Sequence, residues 1–202
     1  MENCNLVSIP LYPNIKLEPN TEGSNGSKSN SYTSLIGSLQ YLATATRPDI
    51  AYAINRLAAY TANPSMTHYS AVKKVLRYLS GTKKSGITYS AKSHEFQDKN
   101  LTFGYSDVGY ANADNCKSIS GYVFLSHRGA IMWASNKQTM IALSSTEAEY
   151  VVLSEASREA MWLHALYEEL GFEQTEPTLI LGDNDSSIAM AKNPQFHKRG
   201  NI

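Results

Sequence analysis

The stretch Leu143-Ser-Ser-Thr-Glu-Ala-Glu-Tyr150 decides the fold prediction, because it puts acidic residues at the start of a long helical pattern. About forty residues earlier, a strand-like run ends at Asp107, and about thirty-five residues later another ends at Asp183. Two carboxylates at strand ends and one at a helix start can converge on one point, where such oxygen ligands suit hard divalent cations. Two such cations assist in-line hydrolysis of a phosphate, which is the first functional hypothesis.

The elements around this stretch predict an α/β domain with a mixed sheet and flanking helices over residues 101–202. Three short strand-like runs joined by tight turns indicate an antiparallel meander. The predicted order is strand, strand, strand, helix, strand, helix, at residues 101–110, 120–126, 130–135, 146–170, 178–181 and 185–191. Parallel pairing of the first and fourth strands would bring Asp107 and Asp183 side by side at their carboxyl ends.

The two glutamates of the central stretch compete for the same role. Thr146 and Glu149 fit a capping box, in which a glutamate bonds back to the residue that caps the helix. Ser144 and Glu147 fit the same pattern slightly earlier in the chain. Residues two apart lie about 200° apart around a helix, so both glutamates cannot face one site. The sequence leaves open which of them does.

The two aspartates have structural alternatives as well. Asp107 could begin a turn, since aspartate favours turns. Asp183 with Asn184 could cap the helix predicted to begin near Asp185. The arrangement of three acids at the ends of separate elements is therefore a stronger indication than any one of them.

The first hundred residues predict a different kind of structure. Residues 1–31 predict an extended lead followed by a polar, disordered linker, because prolines interrupt helices and residues 20–31 offer little to bury. Residues 32–100 predict a helical segment that restarts at Arg47-Pro-Asp49, with a short strand at residues 86–90. The predicted divisions are thus 1–31, 32–100 and 101–202.

Charge is distributed unevenly although the net charge is zero. Residues 1–100 carry eleven Lys and Arg against six Asp and Glu, and the remaining residues carry seven against twelve. The helix predicted from about residue 67 carries three basic residues on one side and is followed by two more, namely Lys73, Lys74, Arg77, Lys83 and Lys84. Such a face could hold phosphates by displacing counterions, or it could be an ordinary solvated helix surface. Both interpretations stay open on charge alone.

Composition restricts the setting. No apolar run reaches the length that spans a membrane, and no signal peptide opens the sequence. The two cysteines, Cys4 and Cys116, are far apart and lack metal-binding spacing. We therefore expect a reduced, intracellular setting without a membrane partner.

The chain carries a set of ordered motifs that together are specific. They are Tyr105-Ser-Asp107, Ser118-Ile-Ser-Gly-Tyr-Val-Phe-Leu125, Trp133-Ala-Ser135, Ala142-Leu-Ser-Ser-Thr-Glu-Ala-Glu-Tyr150 and Asp183-Asn184. They resemble the ribonuclease H domain of copia-type LTR retrotransposon Pol polyproteins. Upstream, residues 36–50 and 68–79 resemble the reverse transcriptase thumb and connecting region of the same polyproteins. The resemblance covers nearly the whole chain apart from the linker.

This resemblance implies a ribonuclease H-like mixed sheet preceded by a small helical, thumb-like segment. It implies hydrolysis of the RNA strand of an RNA–DNA hybrid with two Mg²⁺ or Mn²⁺ ions, and it places the catalytic and metal-binding acids on Asp107, Glu149 and Asp183. The basic helix would hold the duplex backbone. The implied partners are the hybrid and the polymerase core of the polyprotein, and the implied location is the cytoplasm, the nucleus or a virus-like particle.

Two departures from the family pattern supply a second hypothesis. Gly109 and Tyr110 stand where the family often has an aspartate and a tryptophan. Residues 196–202 resemble only the beginning of the segment that precedes the family's last acidic residue, and no Tyr-x-Asp-Asp polymerase motif is present. The expectation is a ribonuclease H domain truncated at its C-terminus. The alternative function is an inactive remnant that keeps the fold and at most binds nucleic acid.

Overall fold

A computed structural model describes residues 4–12, 15–21, 26–90, 102–111, 113, 116–172 and 174–193. The chain divides into two compact units, Met1–Ile87 and Thr88–Ile202, which we call the helical unit and the sheet unit. The predicted division after residue 100 lies outside the described residues and stays a prediction. The family-like segment at residues 196–202 lies outside the described residues.

Three helices form the helical unit: α1 (Gly26–Ala45), α2 (Ala51–Ala58) and α3 (Met66–Gly81). Pro48 begins a single 3₁₀ turn before α2, which is the predicted restart. The core contains apolar side chains spaced three or four residues apart on each helix, including Ile36, Leu39, Ile50, Ile54, Leu57, Val72 and Val75. Within the described part of the chain, no helix has the length and apolar character needed to cross a membrane.

The lead before α1 packs against this core, and the start of α1 at Gly26 corrects the expectation that residues 20–31 are a disordered linker. Leu11 and Leu17 are buried with the helical side chains. The hydroxyl of Tyr60 donates to the carbonyl of Leu17 at 2.8 Å. Since α1 begins at Gly26, the second half of the predicted linker is helical. Polar composition predicted a loose linker over residues 20–31, whereas its part from Gly26 onward belongs to α1.

A charged network joins the start of α2 to the end of α3. The guanidinium of Arg47 donates to both carboxylate oxygens of Asp49, at 2.8 and 2.6 Å. It also donates to the hydroxyl of Thr82, and Tyr78 donates to Asp49 at 2.8 Å. The hydrogen bonds from Arg47 lower the pKa of Asp49. Bidentate pairing of this kind fixes geometry as well as charge.

The sheet unit contains a four-stranded mixed sheet in the order β3-β2-β1-β4. Its strands are β1 (Phe103–Gly109), β2 (Ile119–Ser126), β3 (Gly129–Lys137) and β4 (Leu179–Leu181), and its helices are α4 (Ser145–Glu169) and α5 (Asp185–Lys192). The pairs β1–β2 and β2–β3 are antiparallel, whereas β1 and β4 are parallel. This is the predicted ribonuclease H-like α/β architecture.

The predicted strand at residues 86–90 was wrong. The backbone N–H of Ser90 donates to the carbonyl of His127 at 2.8 Å, and the hydroxyl of Tyr89 donates to the carbonyl of Ala130 at 2.8 Å. These contacts hold the segment beside the turn between β2 and β3. They do not form the ladder of backbone bonds that defines a strand.

Helix α4 packs on the sheet through small residues opposite one large aromatic side chain. Ala156 and Ala160 lie with Leu163 against Phe124. Phe124 in turn lies over Gly104 of the neighbouring strand, to which it is paired. A Cβ atom at Gly104 would stand 2.6 and 2.8 Å from two ring carbons of Phe124. The absence of a side chain at this position therefore lets the ring fill the core.

We predict that Gly104→Ala lowers the free energy of unfolding of the sheet unit by about 1–3 kcal/mol, because the ring must shift in a packed core. Both tryptophans, Trp133 and Trp162, belong to this unit, so their fluorescence during urea unfolding reports it selectively. The control is Gly121→Ala, whose Cβ would meet its nearest atom at an ordinary 3.7 Å. Equal midpoints for the two variants would contradict the prediction.

Candidate metal centre

Parallel pairing of β1 with β4 brings the two predicted aspartates together. Phe103 pairs with Leu179 and Tyr105 with Leu181. Asp107 follows Tyr105 by two residues, and Asp183 follows Leu181 by two residues. The two aspartates therefore lie side by side just beyond the carboxyl ends of the paired segments. The expected parallel pairing of the first and fourth strands is thereby confirmed.

The first turn of α4 distinguishes the two glutamates. Ser144 caps the helix by accepting a hydrogen bond from the backbone N–H of Glu147 at 3.1 Å. The carboxylate of Glu147 turns back and accepts from the N–H of Leu143 at 2.6 Å. Glu147 is thus engaged in a cap, while Glu149, about 200° further around the helix, is buried against the strand ends. The cap of Ser144 with Glu147 is formed, and Glu149 is left for the site.

Of the structural alternatives for the aspartates, the turn at Asp107 is not formed, and the cap predicted for Asp183 with Asn184 is formed by Asn184 alone. Asp107 lies within β1, where it pairs with Gly121 of β2 rather than beginning a turn. The cap of α5 is Asn184, whose side-chain oxygen accepts from the N–H of Ser187 at 2.9 Å. Asp183, one residue earlier, is exposed and free of that capping bond. Both aspartates therefore present carboxylates at one edge of the sheet.

Asp107, Glu149 and Asp183 form one cluster. One carboxylate oxygen from each residue lies within 4.8 Å of the other two. Glu149 is buried, whereas the two aspartates are exposed. Ligand oxygens around a Mg²⁺ ion stand at most about 4.2 Å apart, twice the metal–oxygen distance. The three side chains therefore fit a hard divalent cation after a small inward movement.

Burial and mutual repulsion act on the cluster in the absence of a cation. Burial first, then the charges of Asp183 and Asp107, raise the pKa of Glu149 to about 7. A hydrogen bond from the N–H of Val108 acts in the opposite direction. The same N–H donates to a carboxylate oxygen of Asp107 at 2.8 Å. A bound cation would remove the repulsion that the protein alone only partly offsets.

One residue beside the cluster was missed in the sequence. Gln138, directly after β3, is buried, and its amide nitrogen donates to the hydroxyl of Ser120 at 3.1 Å and to the carbonyl of Ala148 at 3.0 Å. Ala148 immediately precedes Glu149. A polar residue at a strand end usually indicates a turn, so nothing in the local pattern predicted a buried contact with a distant helix.

The predicted basic face is only partly exposed. Three of its members are exposed: Lys73, Lys83 and Lys84. Lys74 is buried, with its ammonium 2.6 Å from the centroid of the Tyr12 ring. Arg77 donates to the carbonyl of Asn5 at 2.6 Å. The assignment of Lys74 to a nucleic-acid surface was wrong, because the packed lead covers that side of α3.

Comparisons with known proteins place these features in a family. The chain is 38% identical over 205 residues to the "Retrovirus-related Pol polyprotein from transposon TNT 1-94" of Nicotiana tabacum. The aligned region covers 98% of this chain and 15% of that protein. It is 40% identical over 198 residues to the "Retrovirus-related Pol polyprotein from transposon RE1" of Arabidopsis thaliana, covering 96% of this chain and 13% of that protein.

A shorter relative carries a different name. The chain is 41% identical over 133 residues to "Secreted RxLR effector protein 161" of Plasmopara viticola. The aligned region covers 65% of this chain and 90% of that protein. No family model matches the chain. No solved structure matches it either.

The matches to transposon proteins extend over almost the whole chain, through both the helical unit and the sheet unit. The chain spans only about 13–15% of the length of these two relatives. At this identity, near-complete coverage shows that the chain corresponds to one region of such a polyprotein. The chain belongs to the family of retrovirus-related Pol polyproteins of copia-type transposons.

Proposed function

We propose that the sheet unit is a ribonuclease H-type endonuclease that hydrolyses the RNA strand of an RNA–DNA hybrid. The observation that carries this proposal is the approach of the three carboxylates to within 4.8 Å at the end of a mixed sheet. Membership of a retrotransposon Pol family supports it, because reverse transcription produces RNA–DNA hybrids. Mg²⁺ or Mn²⁺ is the proposed cofactor, with two ions in a complete site.

The three acids would have different roles in catalysis, because they differ in exposure. Asp107 and Asp183 are exposed, so a phosphate and its attacking water can reach them. Glu149 is buried near the start of α4, so its carboxylate would hold a cation from the protein side of the site. When bound, the cations would activate the water and stabilise the leaving oxygen. The backbone N–H of Val108 would keep the Asp107 carboxylate oriented.

The substrate and partners follow from the proposed reaction. An enzyme of this class distinguishes RNA from DNA by contacts to 2′-hydroxyls and by duplex shape. Lys73, Lys83 and Lys84 of the helical unit are exposed and would contact phosphates, which position a duplex without reading its sequence. The polymerase core of the polyprotein is the proposed protein partner, in the cytoplasm, nucleus or virus-like particle.

We predict that Glu149→Gln, Asp107→Asn and Asp183→Asn each reduce cleavage of the RNA strand of a labelled RNA–DNA hybrid by about 100-fold or more, since metal binding contributes several kcal/mol to the transition state. Glu147→Gln is the matched control, because it makes the same change two residues away in a carboxylate that serves the helix cap. It should keep most of the activity. The assay is run in Mg²⁺, in Mn²⁺ and in EDTA.

The substrate controls make the cleavage assay decisive. The same strand is tested as single-stranded RNA, and the sequence is tested as duplex DNA. Wild-type cleavage that survives all three acid substitutions would overturn the assignment of the site. Salt-sensitive binding of the hybrid with no cleavage in either metal would favour the alternative of an inactive remnant that only binds nucleic acid.

We predict that, in EDTA, the sheet unit loses stability relative to Glu149→Gln as the pH rises through about 7. The folded state raises the pKa of Glu149, so it favours the protonated form. That contribution is complete below the unfolded pKa and disappears as the pH passes the folded value. Urea midpoints measured by tryptophan fluorescence from pH 5 to 8 test this. Parallel profiles for wild type and Glu149→Gln would contradict it.

We predict that the double variant Lys83→Gln/Lys84→Gln lowers the slope of the logarithm of hybrid affinity against the logarithm of salt concentration by about 2, because each lost phosphate contact releases about one fewer counterion. Lys16→Gln is the control, since Lys16 is an exposed lysine on the lead of the same unit. Fluorescence anisotropy in EDTA measures binding without cleavage. Equal slopes for the double variant and wild type would contradict the prediction.

A further inference from the structure

The buried amide of Gln138 joins the two elements that bring acids to the metal centre. Its nitrogen donates to the hydroxyl of Ser120 at 3.1 Å and to the carbonyl of Ala148 at 3.0 Å. Ser120 pairs across the sheet with Val108, the residue after Asp107. Ala148 immediately precedes Glu149. One amide group therefore contacts the immediate surroundings of two metal-centre acids.

The backbone of Gln138 adds a third contact with the same region. Its N–H donates to the carbonyl of Ser118 at 2.9 Å, which holds the chain against the beginning of β2 after the β3 ladder ends. Ala148 and Ser120 are buried as well, so water does not compete for these bonds. The orientation of the amide is determined, because the carbonyl of Ala148 can only accept a hydrogen bond.

Stability alone does not explain a glutamine at this position. The amide oxygen of Gln138 has no hydrogen-bond partner among the described residues. A buried acceptor left without a partner is unfavourable, so removing it offsets part of the cost of losing the hydrogen bonds to Ser120 and Ala148. The contacts that glutamine makes and an apolar side chain would not make are those to Ser120 and Ala148.

We propose that Gln138 is a positioning residue for the metal centre, which holds the first turn of α4 against β2 and keeps Glu149 within reach of Asp107 and Asp183. The three carboxylates repel one another, so a loose first turn would let Glu149 move away from the strand ends. Groups that orient metal ligands from outside the ligand set commonly change metal affinity by 10–100-fold. This inference rests on the proposed function, because it assumes that the cluster binds a cation.

The test is Mn²⁺ binding to the full chain, measured by isothermal titration calorimetry. We expect Gln138→Met to weaken Mn²⁺ binding by about 10-fold or more while the sheet unit keeps a cooperative urea transition that shows it is folded. Gln174→Met is the matched control, because Gln174 donates to Thr102 at the start of β1, away from the acids, and should bind Mn²⁺ like wild type. Unchanged affinity in Gln138→Met would overturn the inference.

A double-mutant cycle shows whether Gln138 acts through Glu149. In the Glu149→Gln background, Gln138→Met should cause no further loss of Mn²⁺ affinity, since the ligand that it positions is gone. Full additivity of the two losses would overturn the positioning role. If Gln138→Met does not fold, Ser120→Ala replaces it. That variant removes one of the two acceptors and should weaken binding in the same direction, and wild-type affinity would overturn the inference.

The proposed function and this inference can fail separately. A wild-type chain that binds no Mn²⁺ overturns both of them. A wild-type chain whose Mn²⁺ binding is lost in Asp107→Asn but unaffected by Gln138→Met overturns the role of Gln138 alone. If the losses of Mn²⁺ affinity caused by Gln138→Met and by Glu149→Gln do not add in the double variant, the positioning role is supported.

Discussion

The site depends on the parallel pairing of β1 with the three-residue strand β4. Asp107 and Asp183 are far apart in the sequence, and this pairing is what brings them close together in space. The pairing also works against electrostatics, because it places like charges close to each other and to Glu149. Backbone hydrogen bonds and the packing of α4 on Phe124 must therefore outweigh a repulsion that a cation would relieve.

Local signals made most of the sheet unit predictable. Alternating side chains, tight turns and a capped helical pattern located each strand and helix among the described residues of this unit within a few residues. The parallel pairing of β1 and β4 followed from their order. The local pattern alone left the choice between Glu147 and Glu149 open, because both fit a cap, whereas the family resemblance implied Glu149. In the structure Ser144 caps the helix at Glu147, and Glu149 is the buried glutamate of the cluster.

The helical unit shows where sequence patterns fail. A basic stripe on α3 predicted a surface, yet Lys74 is covered by Tyr12 and Arg77 is bonded to Asn5. The covering segment was predicted only to be an extended lead, because prolines interrupt helices there. Its packing comes from Leu11 and Leu17, whose partners lie far along the chain. Helical periodicity describes one element at a time and carries no information about what a distant segment covers.

The three acids of the cluster differ in exposure, and this difference affects the protonation of Glu149. Glu149 is buried and its pKa lies near 7, while the aspartates beside it are exposed. If the cluster binds a cation as proposed, that cation would displace a proton from part of the Glu149 population at neutral pH, because metal binding requires the carboxylate form. The exposed aspartates can attract the cation before that proton leaves. The elements that hold Glu149 in place, the cap at Ser144 and the amide of Gln138, therefore matter most when the site is empty and its charges are unbalanced.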